Sequence, residues 1–479
     1  MADRRLVNCA AVNANMKDDI LILGAGPAGM AAALELSKAK KQFTLVEKAE
    51  QVGGLAKTYQ FGAFRTDNGP HRFFSKNKYL YEFIQDLLGE KWIKVTRFTR
   101  FYINGKFYQY PVEWKNALLT MGPWLAARVF TDYLLQRIRP HRNKAANFEE
   151  YVVKCFGRTL AEFNMLNYTE KIWGTPCSQL SADWAEQRIR GLSIMSILIN
   201  SVFRRGGPKT LVDEFYFPDQ GSGLIYEAIK GRVAEENDIL LKTEPIEVTH
   251  DGKRILNVTL NSGRHIAPKQ LVSSVPITVF VKLLKPAPPE EVLRAASQLK
   301  FRSQVYLFIT IKKPSVSKDQ WIYFPNKNIP FGRISEMKNF SQKMSPPDKT
   351  SLFVEFFCWE NDKIWNMSQD DLFRLTIDWL EKMQLVKKDE VENIHHIKQT
   401  NVYPVYDLSY KENLKVILDY LDRFENLIMI GRPGRFKYTN QDHSLEMGIL
   451  AARSIVENRR MNIEDVGAEK EYFEKGYVR

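Results

Sequence analysis

The stretch Ile20-Leu21-Ile22-Leu23-Gly24-Ala25-Gly26-Pro27-Ala28-Gly29 decides how the rest of the chain is read. Its four leading apolar residues form the pattern of a short buried strand, and Pro27 to Lys38, apolar at i, i+3 and i+4, that of a helix. Phe43 to Glu47 follows as a second strand, closing a βαβ unit within about 30 residues. In such a unit Gly24 permits the tight turn, Gly26 lets backbone N–H groups approach a pyrophosphate, and Gly29 allows close packing of helix on strand. The helix N-terminus adds partial positive charge. Glu47 lies 21 residues beyond Gly26, where a carboxylate accepts hydrogen bonds from ribose hydroxyls and disfavours a 2′-phosphate. The predicted ligand is a dinucleotide.

Gln51-Val52-Gly53-Gly54-Leu55-Ala56-Lys57-Thr58 follows, and its glycine pair resembles the GGxxxT element of large FAD-binding oxidoreductases. Near the other end, Leu427-Ile428-Met429-Ile430-Gly431-Arg432 precedes a helix and resembles the strand-Gly-helix element that such flavoproteins wrap against the flavin. The two resemblances imply FAD as the cofactor. Gly24, Gly26, Gly29, Glu47, Gly53, Gly54, Thr58, Gly431 and Arg432 are then the expected binding residues.

The whole chain has 479 residues, 44% of them hydrophobic, and 69 Lys and Arg against 56 Asp and Glu give a net charge of +13. That balance excludes a disordered chain and points to an anionic partner; no nucleic acid is expected. Four scattered cysteines without a CxxC argue against a disulfide framework or a zinc ribbon and for a reducing compartment, so no metal is expected and the cytoplasm is the expected location. No export signal is read at the N-terminus. Trp114 to Ile138 is apolar but is broken by Pro123 and interrupted by Arg128 and Asp132, so it reads as a pair of buried or amphipathic helices. Peripheral contact with a membrane surface and a homodimer are both compatible with the sequence.

The expected fold class is α/β: a Rossmann-like FAD-binding domain of the GR2 type, with an interleaved helical insert and an antiparallel-sheet substrate domain. Residues 1–17 read as a loose leader, and 18–95, 215–295 and 425–460 as a discontinuous FAD-binding domain. Residues 96–214 read as a mainly helical insert, including Phe148 to Phe156, Leu160 to Leu166 and a run after Ser193. Ile246 to Thr249, Ile255 to Leu260, His265 to Ala267 and Gln270 to Ser274 read as one small antiparallel series, with turns at Asp251-Gly252 and Ser262-Gly263. Residues 296–424 read as a sheet plus helices that bind substrate, with strands at Val305 to Ile311 and Leu352 to Cys358.

Five further segments carry a more specific resemblance: Gly69-Pro70-His71-Arg72-Phe73, Tyr168-Thr169-Glu170-Lys171-Ile172-Trp173, Arg333-Ile334-Ser335-Glu336, Tyr403-Pro404-Val405 and Gly431-Arg432-Pro433-Gly434-Arg435-Phe436-Lys437-Tyr438. In this order, over about residues 18–458, they resemble the motifs of the UDP-galactopyranose mutase family, within the amine oxidase and protoporphyrinogen oxidase superfamily. The resemblance implies that reduced FAD attacks an anomeric carbon through N5, without net redox change, while a nucleoside diphosphate leaves and returns. Such a reaction asks the protein chiefly to hold and neutralise a diphosphate. Arginine suits that task, because its planar guanidinium binds phosphate oxygens bidentately and keeps its charge.

Residue by residue, Arg188 and Arg333 match the family's diphosphate-binding arginines, with Arg190 as an alternative register for the first. Arg302 resembles an arginine near the flavin, and His71 matches the histidine that lies close to the isoalloxazine. Tyr168, Tyr403 and Tyr438 match tyrosines that contact diphosphate or sugar, and Trp173 a tryptophan of the sugar pocket. The implied substrate is a nucleotide sugar of polysaccharide biosynthesis, and the implied reductant is NAD(P)H or a flavin reductase. The sequence departs from the family pattern at Phe74, where a second loop histidine is usual, and at Asn440, where an acid is usual. Those departures put UDP-galactose itself in doubt. The rival readings are an FAD oxidase or dehydrogenase that accepts hydride from an apolar substrate and an FAD-binding protein without chemistry.

Overall fold

The computed structural model describes residues 19–75, 77–110, 120–138, 145–183 and 214–467. A five-stranded parallel sheet sits at the centre of the nucleotide-binding part, in the order Leu427–Met429, Gln270–Ser273, Ile20–Leu23, Thr44–Val46, Asp238–Leu240. Ile20–Leu23 lies third of five, pairing Ile22 with Val272 on one side and with Leu45 on the other. Its four residues are all buried, as an uninterrupted apolar strand covered on both faces must be.

The helices Pro27–Lys38 and Gln441–Val456 cover one another closely. Gly448 makes that contact possible, since a Cβ there would lie 2.0 Å from the Ala28 carbonyl oxygen. Small residues Ala28, Ala31 and Ala32 on the facing helix are buried beside it. This contact seats the C-terminal helix over the first glycine turn.

Gln270–Ser273 corrects one expectation. It does not continue the antiparallel series but runs parallel between Ile20–Leu23 and Leu427–Met429. The series ends at His265–Ile266, and Leu271 to Ser273 are buried, as a central parallel strand requires. The small sheet instead takes Leu284–Lys285 as a parallel partner of Pro245–His250.

A seven-stranded sheet forms the second layer, in the order Val391–Pro404, Phe301–Ile311, Thr350–Cys358, Arg333–Ser335, Trp321–Tyr323, Thr99–Ile103, Lys106–Tyr110. Its last two strands correct the reading of residues 96–110 as part of a helical insert. They form a hairpin about Asn104-Gly105, both at positive φ, and Thr99 pairs with Trp321. Asn-Gly between alternating aromatic and polar residues is the signal for such a hairpin.

The helical expectation does hold for Pro123–Ile138, which Pro123 opens, and for Phe148–Phe156. It holds too for Leu160 to Leu166, which is helical as the π-helix Ala161–Met165 running into the helix Leu166–Trp173. The leader, the first part of the Trp114 stretch and the run after Ser193 lie outside the described residues. No helix among the described residues is long and apolar enough to cross a membrane.

Candidate active site

The second glycine pair packs directly against the first glycine turn, and the two together border one cleft. Gly24 has φ +98° and its N–H donates to Val46 O at 2.8 Å, which pins the turn to the neighbouring strand. A Cβ on Gly29 would lie 1.9 Å from the Gly24 carbonyl oxygen, so this glycine serves helix packing. At Gly26 a Cβ would meet, among the described residues outside its own turn and helix, just the Gly54 Cα within 4 Å, at 3.9 Å, so the space in front of Gly26 is open. The Glu47 carboxylate accepts from Ala25 N at 2.7 Å and from Ala49 N at 2.9 Å, which ties the second strand's acid to the phosphate turn.

Gly24, Gly26, Glu47 and Gly54 line one cavity together with His71, Gly431 and Arg432. Three segments separated in sequence thus meet around one space. The cavity wall holds buried polar atoms with no hydrogen-bond partner among the described residues: His71 Nδ1 and both amide atoms of Gln441. Burying an unpaired polar atom is costly, so these atoms and the open cleft at Gly26 fit an elongated polar ligand such as a flavin dinucleotide.

Not every expected binding residue reaches the cavity wall. Gly53, at φ +104°, donates its N–H to Ala25 O at 2.7 Å and shapes the loop behind the pair. Thr58 Oγ1 donates to Asp67 at 2.6 Å and accepts from Gly223 N at 2.8 Å, joining the hairpin to the start of the helix Gly223–Val233.

Beyond His71, side chains of the seven-stranded sheet and the helix Leu166–Trp173 converge around Arg333, a cluster that we call the chamber. The Arg333 side chain is 15% exposed and meets Glu355, which is 0% exposed, through Nε–Oε1 at 2.5 Å and Nη2–Oε2 at 2.7 Å. The pairing follows from strand register, because Arg333 and Glu355 are directly opposite on antiparallel strands. Gln304 donates to Glu355 Oε2 at 3.2 Å and Tyr306 donates to Gln304 at 2.8 Å, which fixes the carboxylate from its far side. A Cβ on Gly69 would lie 2.9 Å from Glu355 and 3.0 Å from Arg333, so the loop that carries His71 closes against this ion pair.

Burial pushes the His71 imidazole pKa down to about 3, assisted by the positive charges of Arg432 and Arg333. His71 is therefore neutral at physiological pH. Burial raises the Tyr168 phenol well above its ordinary value and pushes Tyr403 up to about 12. Both remain neutral hydroxyl donors, although Arg333 opposes the shift in each case. Tyr403 and Tyr438 stack at 5.6 Å, Trp173 packs edge-on to both at 5.9 and 6.2 Å, and the Arg432 guanidinium lies 5.4 and 4.8 Å from the two tyrosine rings. Arg432 also donates through Nε to Thr439 O at 3.0 Å and through Nη1 to Val402 O at 3.3 Å. These bonds hold the turn after Gly431 in place. Tyr168 packs at 5.4 Å on Tyr323.

The expected cluster of three arginines facing the flavin is not formed by the described residues. Arg188 and its alternative Arg190 lie outside them. Arg302, expected beside the flavin, is 3% exposed and turns to the end of the helix Leu166–Trp173 instead. It donates to Ile172 O at 3.1 Å and to Phe357 O at 3.0 Å, and stacks 4.5 Å from the Trp359 ring. A guanidinium at a helix C-terminus satisfies carbonyls that the helix leaves unpaired. Arg333, its charge matched by Glu355, sits against the loop that carries His71.

Glu355 and Gln441 were missed by the sequence reading. A carboxylate inside the apolar run Phe353-Val354-Glu355-Phe356-Phe357 was a usable signal, since a buried acid requires a partner. Gln441 carried no comparable signal. Among the described residues no group of three His, Cys, Asp or Glu side chains is placed to hold a metal.

Comparison with known proteins places this site in a family. The profile of flavin containing amine oxidoreductases matches residues 27–427. Among solved structures, a reduced UDP-galactopyranose mutase superposes with a TM-score of 0.83 at 23% identity, covering 95% of this chain and 99% of the other. A putative protoporphyrinogen oxidase from Exiguobacterium sp. 255-15 gives 0.69 at 19% identity, covering 92% and 98%. Cyclohexylamine oxidase from Brevibacterium oxydans IH-35A gives 0.64 at 16% identity, covering 92% and 99%. Similarity to curated sequences is local: 45% identity over 53 residues with a phytoene dehydrogenase of Streptomyces griseus, and 37% over 78 residues with the L-amino acid oxidase Cdc18 of Crotalus durissus cumanensis. Those segments are 11% and 16% of this chain, and 10% and 16% of the two relatives. The fold and the FAD cofactor follow from the family match and these neighbours.

Proposed function

We propose a function for this chain, which belongs to the flavin containing amine oxidoreductase family: it rearranges a nucleotide-activated sugar with reduced FAD as nucleophile, as a step of polysaccharide biosynthesis in the cytoplasm. The observation that carries the reading is Arg333, a buried cation among tyrosines and close enough to His71 to depress its basicity. An oxidase for a purely apolar substrate has little use for a guanidinium in that position. When bound, reduced FAD supplies a nucleophilic ring nitrogen able to displace a diphosphate from an anomeric carbon.

The chain's own residues do the remaining work. Gly26 leaves room for the cofactor pyrophosphate, Gly24 and Gly54 shape the wall beside it, and Glu47 suits its ribose. Arg333 spends Nε and Nη2 on Glu355 and keeps Nη1 clear of the described residues, so one donor edge is available to a phosphate oxygen. The Tyr168 and Tyr403 hydroxyls, held neutral by burial, donate without changing charge as the diphosphate departs. Trp173 and Tyr438 form the apolar wall against which a sugar face packs. His71 remains neutral and offers a hydrogen-bonding nitrogen to the cofactor rather than a competing positive charge. NAD(P)H or a flavin reductase is the proposed source of electrons.

A second reading, hydride acceptance from an apolar substrate, is favoured by one observation: Glu355 cancels the Arg333 charge, and aromatic rings form much of the remaining wall. Redox dependence separates the two. The FAD-loaded protein is reduced with dithionite, incubated with a panel of nucleotide sugars, trapped with borohydride and analysed by mass spectrometry. A flavin–sugar adduct, with turnover only after reduction and no stoichiometric oxidant, is the expected result. Peroxide or reduced acceptor formed in proportion to product would establish the oxidase reading instead.

A further inference from the structure

The helix Leu166–Trp173 carries two chamber residues, Tyr168 and Trp173, and between them a lysine that the proposed chemistry does not use. The Lys171 ammonium donates to four backbone carbonyls of one loop: Phe324 O at 2.5 Å, Asn326 O at 2.6 Å, Ile329 O at 2.9 Å and Phe331 O at 3.3 Å. That loop joins Trp321–Tyr323 to Arg333–Ser335. Tyr323, at one end, packs on Tyr168, and Arg333 begins the strand at the other. The same helix grips the loop a second time, through Glu170 to Lys327 at 2.6 Å.

We infer that Lys171 is a positioning residue: by gathering the carbonyls of residues 324–331 it sets Arg333 relative to Tyr168 and Trp173. Three ammonium protons shared among four acceptors define the loop's shape, because none of those carbonyls can swing outward without losing a charge-assisted bond. Burial alone disfavours the charged amine, and the carbonyl cage compensates for the lost water. The end of the helix is itself anchored, because Arg302 and Trp359 donate to the carbonyls of Ile172 and Gly174.

The inference rests on the reading of Arg333 and Tyr168 as ligand-facing. Lys338 provides an internal control. It makes the same kind of cage, to Pro314 O, Pro346 O, Pro347 O and Lys349 O at 2.7 to 3.0 Å, in loops that carry no chamber residue.

The test compares FAD-loaded wild type, Lys171→Met and Lys338→Met, using UDP as the probe and amide hydrogen exchange as the second readout. In Lys171→Met, amides of 324–332 should exchange about tenfold faster and UDP should bind about tenfold more weakly, at unchanged FAD content. Lys338→Met should leave UDP affinity unchanged. Unchanged UDP affinity in Lys171→Met, or equal weakening in both variants, overturns the inference. If wild type binds no UDP, the nucleotide-sugar reading fails, and the latch is then judged on exchange alone: no acceleration in 324–332 overturns it. Should Lys171→Met not retain FAD, Lys171→Arg carries the same comparison, with about threefold expected on both readouts.

Discussion

Removing the Arg333 guanidinium would leave Glu355, 0% exposed, with the Gln304 amide as its remaining side-chain partner. An uncompensated buried carboxylate costs about 3–5 kcal/mol. Arg333→Ala should therefore lower stability by that order and weaken nucleoside diphosphate binding by about 2–4 kcal/mol. The double variant Arg333→Met/Glu355→Gln separates the two effects: it should recover most of the stability in urea unfolding while UDP binding stays weak. Recovery of both would mean that Arg333 serves the fold alone. His71 gives a pH prediction. Its folded pKa, about 3, lies below the unfolded value near 6.5. The unfolded chain thus takes up the proton first, and the contribution is complete above about pH 6.5 and lost as pH falls toward 3. That contribution is of the order of 5 kcal/mol. His71→Gln should flatten this part of the acid unfolding profile, and an unaltered profile would show the imidazole to be solvated.

The strand–turn–helix at Ile20 to Lys38 is the element whose structure follows most directly from local sequence. Gly29 answers to the Gly24 carbonyl five residues back, while Gly24 itself is pinned to Val46 of the adjacent strand and packs on Ser274. Gly26→Val should abolish FAD retention while leaving the apo unfolding midpoint near that of wild type, because the added side chain enters open space rather than protein. A yellow Gly26→Val protein would displace the cofactor from this cleft. Gly448→Val should behave in the opposite way. Its Cβ meets the Ala28 carbonyl at 2.0 Å, so overpacking should destabilise apo and holo protein alike by about 1–3 kcal/mol, read by chemical unfolding. Elements whose partners lie far away were less legible. Gln270–Ser273 was assigned to the preceding hairpins because sequence proximity favours that pairing, whereas its actual neighbours come from residues 20–23 and 427–429. The hairpin about Asn104-Gly105 carried its own turn signal, which the assignment of residues 96–214 to a helical insert overlooked.

Across the whole molecule, the cofactor cavity is closed by segments near residues 24–29, 47–54 and 431–441. FAD that binds only the folded arrangement should stabilise it by RT ln(1 + [L]/Kd), about 4 kcal/mol at a thousandfold excess over Kd. Thermal unfolding of apo and FAD-loaded protein should differ by several degrees and depend on FAD concentration. A concentration-independent midpoint would mean that the three segments do not share one ligand. The sequence alone determined the nucleotide-binding turn, the central strand and the expectation of a dinucleotide ligand, because glycine conformation, buried-strand composition and helix start are set by residues close together in the chain. Only the tertiary structure decided the charge balance of the chamber. Strand register pairs Arg333 with Glu355, a helix end claims Arg302, and four loop carbonyls collect around Lys171. A charged group's role depends on which partner is near once water has been excluded, and that partner is chosen by packing between distant segments.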